Sequence, residues 1–135
     1  MEIEALRLGP GADLRRSLDE FVSSRRLAAG FIVSAVGSLS RAALRYAADD
    51  EATLIVRPLE LVSLSGTLSA QGCHLHASVA DETGKVLGGH VLQGCIVRTT
   101  AELVIGIPDG LRFTREMDAE TGYRELMIQR RIPER

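Results

Sequence analysis

The chain has 135 residues, enough for one ordinary domain with a proper core. Its 45% hydrophobic and 25% charged content is that of a globular protein and excludes a disordered one. A net charge of −2 argues against the broadly basic surface used in nucleic-acid binding, and with no Trp the core must be built from Leu, Val, Ile and Ala.

The opening segment, MEIEALRLGPGADL, has neither the basic stretch nor the apolar run of a secretory leader. The longest apolar runs, such as residues 28–33, fall far short of a membrane span. A cytoplasmic protein is therefore expected, with no membrane partner. Cys73 and Cys95, which form no CxxC pair, should be reduced thiols.

Glu2–Leu8 reads as an opening strand, broken by Gly9, Pro10 and Gly11. Asp13 can then cap a helix by accepting a bond from a free backbone N–H, although Arg16 stands where a capping box would need Glu or Gln. Leu14, Leu18, Phe21 and Val22 recur on one helical face, while Arg15, Arg16, Asp19, Glu20, Ser23 and Ser24 cover the rest. The spacing predicts an amphipathic helix over 13–26. From Ala29 the period changes to short apolar or alternating runs bounded by Gly, Pro, Ser or Asp. These predict strands at 31–36, 42–46, 53–56, 59–68, 74–79, 86–92, 96–97, 103–107 and 123–128. One helix among many short strands predicts an α+β fold, a mostly antiparallel β-sheet with one main amphipathic helix packed on it. With no repeat, linker or low-complexity tract, residues 1–135 read as a single domain.

The most informative segment is CHLHASVADETGKVLGGHVLQG. Alternation along a strand turns Leu75, Ala77 and Val79 to the core and His74, His76 and Ser78 to the other face. Cys73 falls on the core side as a buried thiol. A three-residue loop, Glu82-Thr83-Gly84 with Gly84 left-handed, pairs Asp81 with Lys85. That register sets His76 opposite His90, Val79 opposite Leu87 and Leu75 opposite Val91. A two-residue loop would turn His90 to the wrong side. Opposed residues have Cβ atoms about 4.5–5.5 Å apart, close enough for two imidazoles to share an ion. Gly88 and Gly89 are expected to leave open space beside the histidines and to permit a bulge that re-aims His90. The chain's only three histidines, His74, His76 and His90, thus form one candidate metal site. Three imidazoles without an obvious fourth ligand leave a coordination position for water or a small molecule, as in catalytic zinc sites.

At these residues the chain resembles the PPC domain, the plant and prokaryote conserved domain. The resemblance runs through AGFIVSAVGSLSRAALRYA at 29–47, LELVSLSGTLS at 59–69 and HLHASVADETGKVLGGHVLQGCIVRTTAEL at 74–103. It ends in REMDAETGYREL at 115–126. It implies a compact α/β fold that assembles as a homotrimer, with a divalent metal, zinc as the resemblance has it, on the histidines of HLH and GGH. These match His74, His76 and His90. Plant members lack the histidines and carry separate AT-hook segments that bind A/T-rich DNA. This chain contains no Arg-Gly-Arg-Pro hook, so DNA is not the expected partner.

Glu60, alone among apolar neighbours, and Glu102, in the polar run Arg98-Thr99-Thr100, are candidate catalytic bases for metal-bound water. The favoured reading is structural, as ion-pair partners of Arg45 or Arg98 across strands or between subunits. Asp118, Thr121, Gly122 and Tyr123 read as a turn before the last strand. Ser34, Ser38, Ser63 and Ser65 fit no GxSxG elbow, and there is no phosphate-binding glycine loop; the Gly88-Gly89 pair is better explained by close packing near the site. The leading expectation is a trimeric metal-binding protein of unassigned activity. The alternatives are a metal-dependent hydrolase or lyase acting on a small molecule, and a non-enzymatic regulatory or DNA-associated module.

Overall fold

The computed structural model describes residues 1–131; the last four residues of the expected 1–135 domain lie outside the described residues. The elements in chain order are β1 (Glu2–Leu8), α1 (Leu14–Arg25), β2 (Gly30–Arg45), β3 (Thr53–Leu68), β4 (His74–Ala80), β5 (Val86–Val91), β6 (Ile96–Ile107), β7 (Leu111–Met117) and β8 (Arg124–Arg130). The fold is α+β. A six-stranded sheet in the order β1-β6-β2-β3-β4-β5 carries α1, the one helix among the described residues, and β7 and β8 form a separate two-stranded ribbon. All its pairings are antiparallel.

α1 begins as the sequence predicts. Asp13 accepts a bond from Arg16 N at 3.0 Å through Oδ1, and from Gly94 N at 2.6 Å through Oδ2. The cap therefore also ties the helix to the loop after β5. Arg26 ends the helix in a left-handed conformation, φ 51°, its N–H bonding Ser23 O. Leu14, Leu18, Phe21 and Val22 are buried in one cluster with Leu39 and Leu44 of β2, Leu61, Leu64 and Leu68 of β3, Leu75 and Val79 of β4, and Leu103 and Ile105 of β6.

Several strands expected as separate pieces are continuous. The runs 31–36 and 42–46 belong to the 16-residue β2, 53–56 and 59–68 to the 16-residue β3, and 96–97 and 103–107 to the 12-residue β6. Polar interruptions that resemble turns are instead irregularities in long strands. The β2–β3 register shifts between Leu39 and Arg41, opposite Arg57 and Pro58, where a residue without an N–H can be tolerated. In β6 the polar run stays in the sheet because Ser38 Oγ hydrogen-bonds Thr99 Oγ1 at 2.6 Å. β7 has no counterpart among the expected strands. Its ribbon covers little core, so LRFTREM carries only a weak apolar alternation.

These irregularities curl the sheet. β5, at one end of the sheet order, returns to pair with the last turn of β2 through Leu44↔Val91 and Arg45↔His90. This closure, non-local in sequence, brings β2 alongside the histidine hairpin.

Candidate metal centre

The β4–β5 hairpin has the expected register. His76 opposes His90, Ala77 Gly89, Ser78 Gly88 and Val79 Leu87, without a break. Gly84 is left-handed, φ +82°, and Asp81 N bonds Lys85 O at 3.0 Å. Asp81 organises the turn: its Oδ1 accepts from Thr83 N, Thr83 Oγ1 and Lys85 N at 2.9, 2.7 and 3.1 Å. These bonds, Thr83 first, and the guanidinium of Arg57 hold its carboxyl below the usual range. Leu75, Ala77 and Val79 are buried, and Cys73 is buried with its thiol pushed up to about 12 by burial and by Asp19.

Two local expectations change. The β4–β5 pairing stops at His76↔His90, and Val91 pairs with Leu44 instead of Leu75, because β5 leaves β4 for β2. The glycines do not leave open space, and they form no bulge. A Cβ on Gly89 would lie 2.7 Å from Arg45 O, and one on Gly88 would lie 3.0 Å from Ala77 O. The missing side chain of Gly88 admits the backbone of β4, and that of Gly89 admits the backbone of β2, which is what lets β2 reach β5.

His74, His76 and His90 converge. Their ring centroids are 4.9, 5.3 and 5.7 Å apart, and one nitrogen from each ring falls in a group whose members are all within 4.8 Å of one another. His74 Nε2 and His76 Nε2 are 3.2 Å apart. Two nitrogens bound tetrahedrally to one zinc at about 2.0–2.1 Å would be about 3.3 Å apart, so this pair already has ligand spacing and His90 needs only a small ring movement. The donor set fits a divalent cation that accepts imidazole. Partial burial lowers the pKa of both His74 and His90. Arg115 adds to the shift at His74, and Arg45 and Arg15 add to it at His90, which falls to about 4. The neutral, ligating form of both rings is therefore favoured.

A cavity of about 690 Å³ opens beside His74 and His90. Its basic lining is Arg15 of α1, Arg45 of β2, Arg115 of β7 and Arg124 of β8. Arg15 donates to Val91 O at 2.8 Å and lies 3.5 Å from His90 Nε2. Arg115 donates to Thr67 Oγ1 at 2.9 Å, which anchors the β7–β8 ribbon at the site. Sequence reasoning missed these arginines. Arg15 looked like solvent-face charge, Arg45 like a partner for a glutamate, and Arg115 lies on the strand that was not expected.

Glu60 and Glu102 are exposed and do not line this cavity. Glu60 opposes Ala80, four residues along β4 from His76, roughly 13 Å at strand spacing. Glu102 lies between Arg7 and Val36 on the far part of the sheet. Neither forms an ion pair among the described residues, so pairing with Arg45 or Arg98 across strands within one subunit is absent there.

The fold and site together define an antiparallel α+β protein with a three-histidine cluster capable of coordinating a divalent metal. The chain belongs to the Plants and Prokaryotes Conserved (PCC) domain family, whose profile matches residues 1–107. It is 46% identical over 130 residues to the bifunctional protein GlmU of Synechococcus sp. (strain JA-3-3Ab), a match covering 96% of this chain and 21% of that protein. It thus spans about a fifth of the length of the Synechococcus proteins it matches. Among solved structures, a hypothetical protein from Salmonella cholerae-suis is 45% identical with a TM-score of 0.94, covering 97% of this chain and 95% of that one. A metal-containing protein from Archaeoglobus fulgidus is 29% identical with a TM-score of 0.80, covering 94% of each chain. No helix among the described residues is long and apolar enough to cross a membrane.

Proposed function

We propose that this chain is a metal-binding domain that holds a divalent ion, zinc by ligand chemistry, on His74, His76 and His90 and assembles as a homotrimer. The observation that carries the reading is the convergence of three imidazole nitrogens within 4.8 Å on one face of a hairpin. The likeness to a metal-containing protein supports it. Three protein ligands leave a fourth position open to water or a small molecule, which is the arrangement of a reactive rather than a closed structural zinc site. The adjoining cavity favours a small-molecule role at that position over a flat docking module.

When bound, the ion supplies Lewis acidity to whatever occupies the fourth position. The chain's own contribution is to hold three imidazoles together on one hairpin and to present arginines beside them.

The test is metal analysis of purified protein together with His76→Ala. Wild type is expected to hold one ion per protomer. The variant should lose most of it, keep its circular dichroism spectrum and unfold cooperatively, because His76 is exposed and outside the core. Full metal occupancy in the variant would overturn the assignment.

A further inference from the structure

We infer that the cavity beside the histidines takes a small organic anion, a carboxylate or a phosphate, gripped by Arg45 and Arg115 next to the open coordination position. This deepens the metal-site reading and rests on it for the occupant of the fourth position, but its arginine grip stands on separate observations.

The first is unpaired positive charge. Arg45 and Arg115 are half-buried, and neither has a carboxylate oxygen within 4.0 Å among the described residues. A partly desolvated guanidinium without an anion is unfavourable, and a planar carboxylate or a phosphate matches its paired N–H donors. Some more exposed arginines do find such partners: Arg57 holds Glu82 at 2.6 Å, and Arg16 holds Glu20 at 3.2 Å. The second observation is the balance within the cavity. Four guanidiniums face three carboxylates, those of Asp49, Asp50 and Glu125. Arg15 also has Asp19 at 4.0 Å, so it is a divalent ion, with no protein carboxylate among its three ligands, that would leave the lining positive. The third is placement. Arg45 is register-paired with His90, and Arg115 bonds the hydroxyl of Thr67, which is register-paired with His74. The two charges thus flank the cluster from different strands, as a grip on a ligand centred over the metal requires. At about 690 Å³ the cavity suits a metabolite-sized molecule, and its concave walls, one contributed by the β7–β8 ribbon, do not suit a duplex.

The experiment titrates inorganic phosphate and, separately, malonate into zinc-loaded protein by calorimetry, in wild type, Arg45→Met, Arg115→Met and the control Arg16→Met. Saturable binding of at least one anion is expected, at one per protomer. It should weaken by about tenfold or more in each cavity variant, as loss of a charge-assisted bond implies, and be unchanged in the control. Zinc content should be the same in all four proteins. The tighter anion identifies the chemical source of the ligand. Failure of both anions to saturate zinc-loaded wild type overturns this inference and leaves the metal assignment standing. If the protein takes up no zinc, the metal assignment fails by itself. The same titrations on metal-free protein then decide this one: arginine-dependent binding supports it and no binding overturns it. Competition by a short A/T-rich duplex with the same arginine dependence would also overturn it, by making the basic cavity a nucleic-acid contact.

Discussion

Asp81 shows how one side chain outside the histidine cluster governs its geometry. Its carboxylate accepts three bonds across the β4–β5 turn, and the turn sets the register that opposes His76 to His90. Because its folded pKa lies below the ordinary carboxylate value, the ionised form stabilises the native state. That contribution is complete above the unfolded value of about 3.9 and is lost as the pH falls through the lower folded value. Asp81→Ala should therefore lower the melting temperature at neutral pH, and its deficit relative to wild type should shrink in strong acid. Thermal melts across pH check this, and a deficit that does not depend on pH would contradict it. Zinc affinity should fall in the same variant, because a loosened turn no longer holds His90 against His76.

At the scale of elements, the decisive contact is between β5 and the end of β2. Gly89 has no room for a side chain, since its Cβ would meet Arg45 O at 2.7 Å. Gly89→Ala should thus cost about 1–3 kcal/mol, the usual range for overpacking. Gly9→Ala, with nothing within 4 Å of the added carbon, should be nearly neutral. Urea unfolding of both variants measures the difference, and equal midpoints would show that β2 yields easily. Since Arg45 and His90 are register partners at this contact, the first variant should disturb the metal site as well as stability.

For the whole molecule, the question is what covers the outer sheet. Val33, Val36, Val56 and Val62 of β2 and β3 are 50%, 55%, 74% and 54% exposed, although they lie in long strands of the sheet. One helix cannot cover both faces, and apolar sheet surface of this kind is usually buried by assembly. A homotrimer is the expected state, and light scattering at micromolar concentration tests it. A monomer would show that these valines are tolerated in water.

Periodicity alone was enough to place α1 with its Asp13 cap, the β4–β5 hairpin with its register, and His74, His76 and His90 on one face. Each of these depends on residues within a turn or two of chain, or on a turn whose length dictates which residues oppose. The continuity of β2, β3 and β6 was not legible, because a bulge and a turn carry the same polar residues and differ only in whether a distant strand pairs across them. Close packing at Gly88 and Gly89 was legible, but not that the crowding neighbours are backbone atoms of β4 and β2. The arginines are the clearest case. Arg15, Arg45 and Arg115 lie on a helix and two strands far apart in sequence, and each by itself resembles ordinary surface charge. Only the curl of the sheet, the return of β5 to β2 and the docking of the β7–β8 ribbon bring them to one cavity, because long-range packing, not local pattern, decides which charges share a low-dielectric space.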